Sequence, residues 1–297
     1  MSQNKSLTWV FLTLSYANIF SFPLKAEEVW LRLIKNQANF NQVFLLLGYL
    51  MRSGLVARRS GYFFLNQKNF STLVDLREKR RRYSQTKLKE ADKLLRFLNK
   101  LPWVRGVAIT GSVAVANAKK DDDVDFLIVT TNHSLWLTRL LVTWFAQKQG
   151  KRRSFSKEEK NSWCFNLWLT TNTLKVPVKK RSLPVAYDVL QARWVVDKQG
   201  LEQSFLKQNA WTLNFLPNFF KFRFLKGEIY QSFSLSTSLW LLEFLLFGPN
   251  LIAYLGQRLY MQKHLTREKV GYALAFFHPR DTKKIIYQRW KEVLFYK

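Results

Sequence analysis

The chain has 297 residues, and 48 lysines and arginines against 20 acidic residues give it a formal net charge of +28, which favours polyanionic partners such as RNA or DNA. An apolar fraction of 47% excludes wholesale disorder, and the length suffices for two or three small domains. The single cysteine excludes an internal disulfide framework and favours a reducing, cytoplasmic location, while three scattered histidines argue against a zinc site.

Residues 1–75 predict a small helical module closed by a β-hairpin. Apolar periodicity predicts three helices and then two short strands, over 7–20, 22–34, 40–51, 55–58 and 62–65. This order resembles a winged helix-turn-helix domain, whose wing would carry Arg58 and Arg59 at a tight turn over 59–61. The third helix offers few polar side chains, so DNA reading and a packing role both stay open.

Residues 76–100 predict a basic helix that connects this module to the next domain. Its apolar stripe consists of Leu88, Leu94, Leu95 and Leu98. The run Arg80-Arg81-Arg82 has two interpretations: it grips phosphates, or it forms a solvated face between domains.

Residues 101–200 contain the pattern that carries chemistry. A short apolar strand over 105–110 ends at the pair Gly111-Ser112. A glycine at this turn lets the backbone approach a ligand closely. A helix that begins there would point its N–H groups at an anion such as a triphosphate.

A group of four acidic residues follows, Asp121, Asp122, Asp123 and Asp125, and it opens a second apolar run over 126–130. Because side chains alternate along a strand, we expect Asp123 and Asp125 to project together while Val124 enters the core. Paired carboxylates suit a hard divalent cation such as Mg²⁺ or Mn²⁺, held together with substrate phosphates.

This pattern resembles the nucleotidyltransferase superfamily, the fold of polymerase β and the minimal nucleotidyltransferases: an apolar strand, Gly-Ser, a helix, then Asp-x-Asp on the next strand. The resemblance implies an α/β domain with a mixed sheet. It also implies transfer of a nucleoside monophosphate from an NTP to an acceptor, with release of pyrophosphate. By position, Gly111 and Ser112 would hold the NTP phosphates, and Asp123 and Asp125 would be catalytic and would ligate Mg²⁺ or Mn²⁺.

The family usually adds a third carboxylate from a later strand of the same sheet. The corresponding strand here, 162–170, has Asn166 where an aspartate is expected, and an amide accepts no proton at neutral pH. Four acids lie near enough in sequence to substitute, namely Glu158, Glu159, Asp188 and Asp197. The alternative is a weak site.

Cations at 151–153 and Lys157 precede this strand and would suit a triphosphate or a nucleic-acid backbone.

Residues 201–297 predict a helical domain, with helices over 202–215, 234–247 and 251–259. The last two are expected to be separate, because Gly248-Pro249-Asn250 stands between them. The apolar run 235–256 raises the alternative of a membrane span, but a buried helical hairpin is favoured.

The sequence therefore predicts an α+β protein with a winged-helix-like module over 1–75, a connecting helix over 76–100, a nucleotidyltransferase domain over 101–200 and a helical domain over 201–297. The favoured function is a metal-dependent nucleotidyltransferase. The alternative is a catalytically degenerate protein of the same fold that binds nucleic acid or nucleotide. The acceptor stays open among nucleic acid, protein and small molecule.

Overall fold

A computed structural model describes residues 3–66, 71–152, 160–227, 237–262, 269–277 and 282–295. The protein is α+β, with a small antiparallel sheet near the N-terminus and a six-stranded mixed sheet at the centre. The helices are α1 (Gln3–Asn18), α2 (Ala26–Leu31), α3 (Phe40–Arg52), α4 (Ser71–Lys100), α5 (Gly111–Ala114), α6 (Leu135–Lys148), α7 (Leu183–Gln191), α8 (Leu201–Gln208), α9 (Pro217–Gly227), α10 (Thr237–Gln262) and α11 (Thr282–Phe295). The strands are β1 (Leu24–Lys25), β2 (Val56–Arg59), β3 (Tyr62–Leu65), β4 (Val104–Thr110), β5 (Val124–Thr130), β6 (Trp163–Thr170), β7 (Arg193–Asp197), β8 (Lys269–Val270) and β9 (Leu274–Phe276).

The N-terminal residues form three helices around an antiparallel sheet of order β1-β3-β2. The predicted hairpin is confirmed: Arg59 pairs with Tyr62 across a turn in which Ser60 and Gly61 both have positive φ. Two positive φ values are what a two-residue hairpin turn with the right twist requires. The second helix ends at Leu31, earlier than predicted.

The central sheet has the order β7-β4-β5-β6-β9-β8. Strand β4 runs antiparallel to both β5 and β7, whereas β5 and β6 are parallel, so the sheet is mixed as predicted. Side chains on one face of β4 and β5 pack with α4 and α6, and Phe126, Ile128 and Trp136 are fully buried in that cluster. The far face packs against α8 through Leu201 and Phe205.

Two predictions for the C-terminal third are wrong. The region is not purely helical, because β9 pairs with β6 and adds β8 and β9 to the central sheet. Helix α10 is also continuous through Pro249. Although proline removes one helical hydrogen bond, α10 packs along α6, and the buried Asn250 accepts hydrogen bonds from Trp136 N (2.8 Å) and Leu137 N (3.1 Å). This contact satisfies backbone donors at the start of α6.

Helix α10 is the apolar segment that raised the alternative of a membrane span. Within the residues that the structure describes, no helix combines the length and apolarity needed to cross a bilayer. One face of α10 is nevertheless strongly exposed, with Phe244 and Ile252 at 70% and 74% of their full accessible area.

Candidate functional site

The turn after β4 brings the two parts of the motif together. Gly111 has φ +65°, which places it in the left-handed region, and Thr110 lies opposite Asp125 across the β4–β5 pair. A Cβ atom on residue 111 would lie well inside 3.0 Å of Asp125 Oδ2. Glycine is therefore required twice at this position, by its backbone conformation and by the close approach of the carboxylate.

Asp125 lies beside Asn166, the residue that stands where the family resemblance implies a third carboxylate. Its Oδ1 accepts a 2.7 Å hydrogen bond from Asn166 Nδ2. Strand β6 has two residues between Cys164 and Leu167 where β5 has only Phe126, so the register shifts there as in a β-bulge. An amide at this position donates to the aspartate, whereas a third carboxylate would repel it.

Asp123 is the second acid of the motif. Its Oδ1 accepts a 2.9 Å hydrogen bond from Ser162 N, and Val124 after it is buried in the core as predicted. Asp123 and Asp125 are both partly exposed to solvent. Each carboxylate oxygen has two lone pairs, so these hydrogen bonds are compatible with cation binding.

Ser112 does not begin a long helix. Helix α5 has four residues, and Ala116 after it has a positive φ, which interrupts helical geometry. Asp122 organises the loop instead: its Oδ2 accepts from Ser112 Oγ and from Lys119 N, both at 2.9 Å. The helix expected after Gly111 is therefore confirmed only as a single turn, which carries little macrodipole. Ser112 remains within the site as a hydroxyl fixed by a carboxylate.

Polar side chains of α4 contact the loop 115–123 between α5 and β5, which we call the acidic loop. Lys87 Nζ donates to Asp122 O and, at 2.6 Å, to Asn161 Oδ1. One turn earlier Ser84 Oγ accepts from Ala118 N at 3.0 Å. Burial lowers the pKa of Lys87. These two residues were not predicted to belong to the site, although Lys87 falls within the buried stripe of α4 between Ser84 and Ala91. A lysine inside an otherwise buried stripe is the signal that would have found it.

The basic runs are largely engaged in contacts within the protein. Arg80 donates to Phe20 O at 2.8 Å and to Asn117 Oδ1 at 3.1 Å, so it anchors the acidic loop. Arg81 pairs with Glu78 on the same helix. Lys151 donates to Glu90 Oε2 at 2.8 Å. Arg80 therefore has a structural role, whereas Arg81 and Arg82 are exposed, so that phosphate binding by this pair stays a prediction. Arg153 and Lys157 lie outside the described residues.

The candidates for a third carboxylate separate by position. Asp197 pairs with Gly106, at the opposite end of β4 from Gly111, and so does not reach the site. Asp188 lies on α7, which packs against α5, and it is exposed to solvent. Desolvation by the surrounding protein atoms raises the pKa of its carboxyl group to about 6. Glu158 and Glu159 lie outside the described residues.

The raised pKa of Asp188 predicts a pH-dependent stability. Ordinary aspartate titrates near 3.8 and this one near 6, so in the folded state deprotonation is disfavoured and stability falls as pH rises through this window. We expect Asp188→Asn to unfold at a higher temperature than wild type at pH 7 and at the same temperature below pH 3.8. Thermal melts across this range check it, and a difference that does not depend on pH would contradict the assignment.

The candidate site contains few side chains that could ligate a metal ion. Among the residues that the structure describes, no three histidine, cysteine, aspartate or glutamate side chains converge closely enough to hold a metal ion. Asp123 and Asp125 supply two carboxylates, and Mg²⁺ is commonly held by one or two carboxylates together with substrate phosphates. The pair therefore fits a cation that arrives with a nucleotide better than one held by the protein alone.

Comparison with known proteins assigns no family to the chain. The chain matches no protein-family model, no curated protein and no solved structure.

Proposed function

We propose that the protein is a metal-dependent nucleotidyltransferase that transfers a nucleoside monophosphate from an NTP to an acceptor and releases pyrophosphate. One observation carries the proposal: after the left-handed turn at Gly111, Ser112 donates to Asp122, the neighbour of Asp123, while Thr110 pairs with Asp125 on β5. The mixed order of β4, β5 and β6 agrees with the sheet that the family resemblance implies.

Each residue has a role in this proposal. Gly111 allows the triphosphate to approach the backbone. The Ser112 hydroxyl, which donates to Asp122 Oδ2 in this structure, would turn to donate to a phosphate oxygen instead. Asp123 and Asp125 would hold Mg²⁺ or Mn²⁺, which supplies charge stabilisation at the reacting phosphate when bound. Asn166 orients Asp125 through its 2.7 Å hydrogen bond. Asp188 is the candidate proton acceptor, because α7 packs against α5 and a pKa of about 6 suits proton transfer near neutral pH.

Nucleotide binding is the first test of this proposal. Each of the four NTPs is titrated in a calorimeter in the presence of Mg²⁺ or Mn²⁺. We expect at least one of them to bind, and to bind only when the metal is present. Asp123→Asn/Asp125→Asn should weaken that binding by at least about tenfold, because both anionic ligands are lost. Asp121→Asn is the matched control: it changes an exposed carboxylate of the same loop that pairs with Lys160 at 3.2 Å, and it should bind like wild type.

Asn166 favours a second candidate function. An amide in place of a third carboxylate is what a degenerate site would have, and a protein of charge +28 would then serve to bind nucleic acid. Absence of NTP binding in wild type, together with salt-sensitive RNA binding that survives Asp123→Asn/Asp125→Asn, would establish this alternative. Transfer activity restored or raised by Asn166→Asp would instead place residue 166 in an active site.

A further inference from the structure

A groove lined by none of the candidate site residues is not used by the proposed reaction. It lies between the segment that connects α2 to α3 and helix α9, and its volume is about 810 Å³. The residues that define it here are Trp30, Asn39, Gln42, Lys221, Phe222 and Lys226. We call it the α2–α9 groove.

Both walls of the α2–α9 groove carry an aromatic side chain. Trp30 is held in place because its Nε1 donates to Ala38 O at 2.8 Å. The buried Asn218 of α9 donates to Trp30 O (2.9 Å) and to Ala38 O (3.1 Å), so the two walls are joined by direct hydrogen bonds. Phe222 is 43% exposed. A fixed indole and an exposed phenyl ring offer stacking surfaces that lose little conformational entropy on binding.

The polar groups of the groove are donors and cations. Lys221 and Lys226 are both exposed, and none of the described residues that line the groove is acidic. The Lys221 ammonium group donates to a neutral partner, Gln37 Oε1, at 2.7 Å. Such a lining attracts anions.

The amides at the start of α3 add to this pattern. The capping box uses the side-chain oxygens of Asn39 and Gln42, each of which accepts a backbone N–H of the other residue, at 2.9 and 3.1 Å. A ligand in the groove would therefore meet these two side chains through their NH₂ donors. Donors of this kind suit phosphate oxygens and the carbonyl groups of nucleobases.

We propose that the α2–α9 groove binds single-stranded nucleic acid, with bases stacked on Trp30 and Phe222 and phosphates near Lys221 and Lys226. Aromatic faces interleaved with cations are the usual means of binding a strand without sequence preference. The exposed rings of Phe40 and Phe44, stacked 6.1 Å apart on α3, continue the aromatic surface beyond the groove. The role of this strand as the acceptor of the transfer rests on the proposed function. Its binding to the groove does not depend on that function.

Strand binding is measured by fluorescence anisotropy with a labelled oligouridylate of about ten nucleotides, without NTP or divalent metal. We expect Phe222→Ala to raise the Kd about tenfold, because one stacking face is lost. Phe222→Leu keeps the apolar volume but lacks the aromatic face, and we expect a similar rise. Thermal melts of both variants separate loss of stacking from loss of fold.

Salt dependence tests the two lysines. We expect Lys221→Gln/Lys226→Gln to reduce the slope of log Kd against log salt by about 1.4, which is the value for two phosphate contacts on a single strand. The matched control is Lys89→Gln/Lys93→Gln, which removes two exposed lysines from α4 at similar spacing and should leave the slope unchanged.

Three results would overturn the inference. They are an unchanged Kd for both Phe222 variants, binding of a duplex as tight as that of the single strand, and selective binding of an acidic peptide instead. Failure of the proposed function is separate, because it concerns NTP binding. Asp123→Asn/Asp125→Asn should bind the oligouridylate like wild type, and a protein that binds the strand but no NTP would keep this inference while losing the other.

Discussion

Gly111→Ala should both destabilise the protein and weaken nucleotide binding. The left-handed backbone at this residue costs an alanine about 1 kcal/mol. The new Cβ would also collide with Asp125 Oδ2, and the carboxylate is held on its other side by Asn166. Overpacking of this kind costs about 1–3 kcal/mol more. We therefore expect the free energy of unfolding in urea to fall by about 2–4 kcal/mol.

Gly150→Ala is the matched control for this prediction. Gly150 follows α6 with φ +62°, close to the value at Gly111, but no atom lies within 4 Å of the position of a Cβ. It should lose only the conformational part, about 1 kcal/mol, and bind nucleotide like wild type. The displaced Asp125 of Gly111→Ala should instead weaken NTP binding by about tenfold. Equal losses in the two variants would show that the contact with Asp125 does not matter.

The core of the candidate site could be predicted from the sequence because its parts are close along the chain. Strands β4 and β5 are short buried runs that meet across one connection, and their predicted bounds agree with the structure to within two residues. Alternation along β5 correctly sends Val124 into the core. The position of Asn166 beside Asp125 also followed from treating β6 as the next strand of the sheet.

What could not be predicted depends on distant contacts. Lys87 donates to Asp122 O across 35 residues. Its place in the buried stripe of α4 marks the lysine, but periodicity does not identify its partner. Strands β8 and β9 are too short to show alternation, and they form because β6 offers an edge to pair with. Helix α10 continues through Pro249 because its packing on α6 and the hydrogen bonds that Asn250 accepts outweigh the helix-breaking tendency of proline. In each case tertiary contacts decide over local propensity.

Arg77→Leu should produce the second large effect, at the junction between the N-terminal helices and α4. The Arg77 side chain is only 8% exposed, its Nη2 lies 2.7 Å from Glu28 Oε1, and its guanidinium lies 3.5 Å from the ring centroid of Phe22. Removing one member of a buried pair leaves the other uncompensated, which costs about 3 kcal/mol, and Glu28 at 25% exposure recovers part of this from water. Chemical denaturation measures the loss. NTP binding should persist, because Lys87 and Arg80 still hold the acidic loop.

A double-mutant cycle shows whether this pair stabilises the fold or only avoids an isolated charge. Arg77 Nε and Nη1 are buried without a hydrogen-bond partner among the described residues, so its desolvation is incompletely offset. We therefore expect Glu28→Gln/Arg77→Leu to be more stable than Arg77→Leu alone. Arg81→Leu, which breaks the exposed Arg81–Glu78 pair one turn further along α4, should cost less than about 1 kcal/mol. A loss at Arg81 as large as that at Arg77 would mean that burial does not set the strength of these contacts.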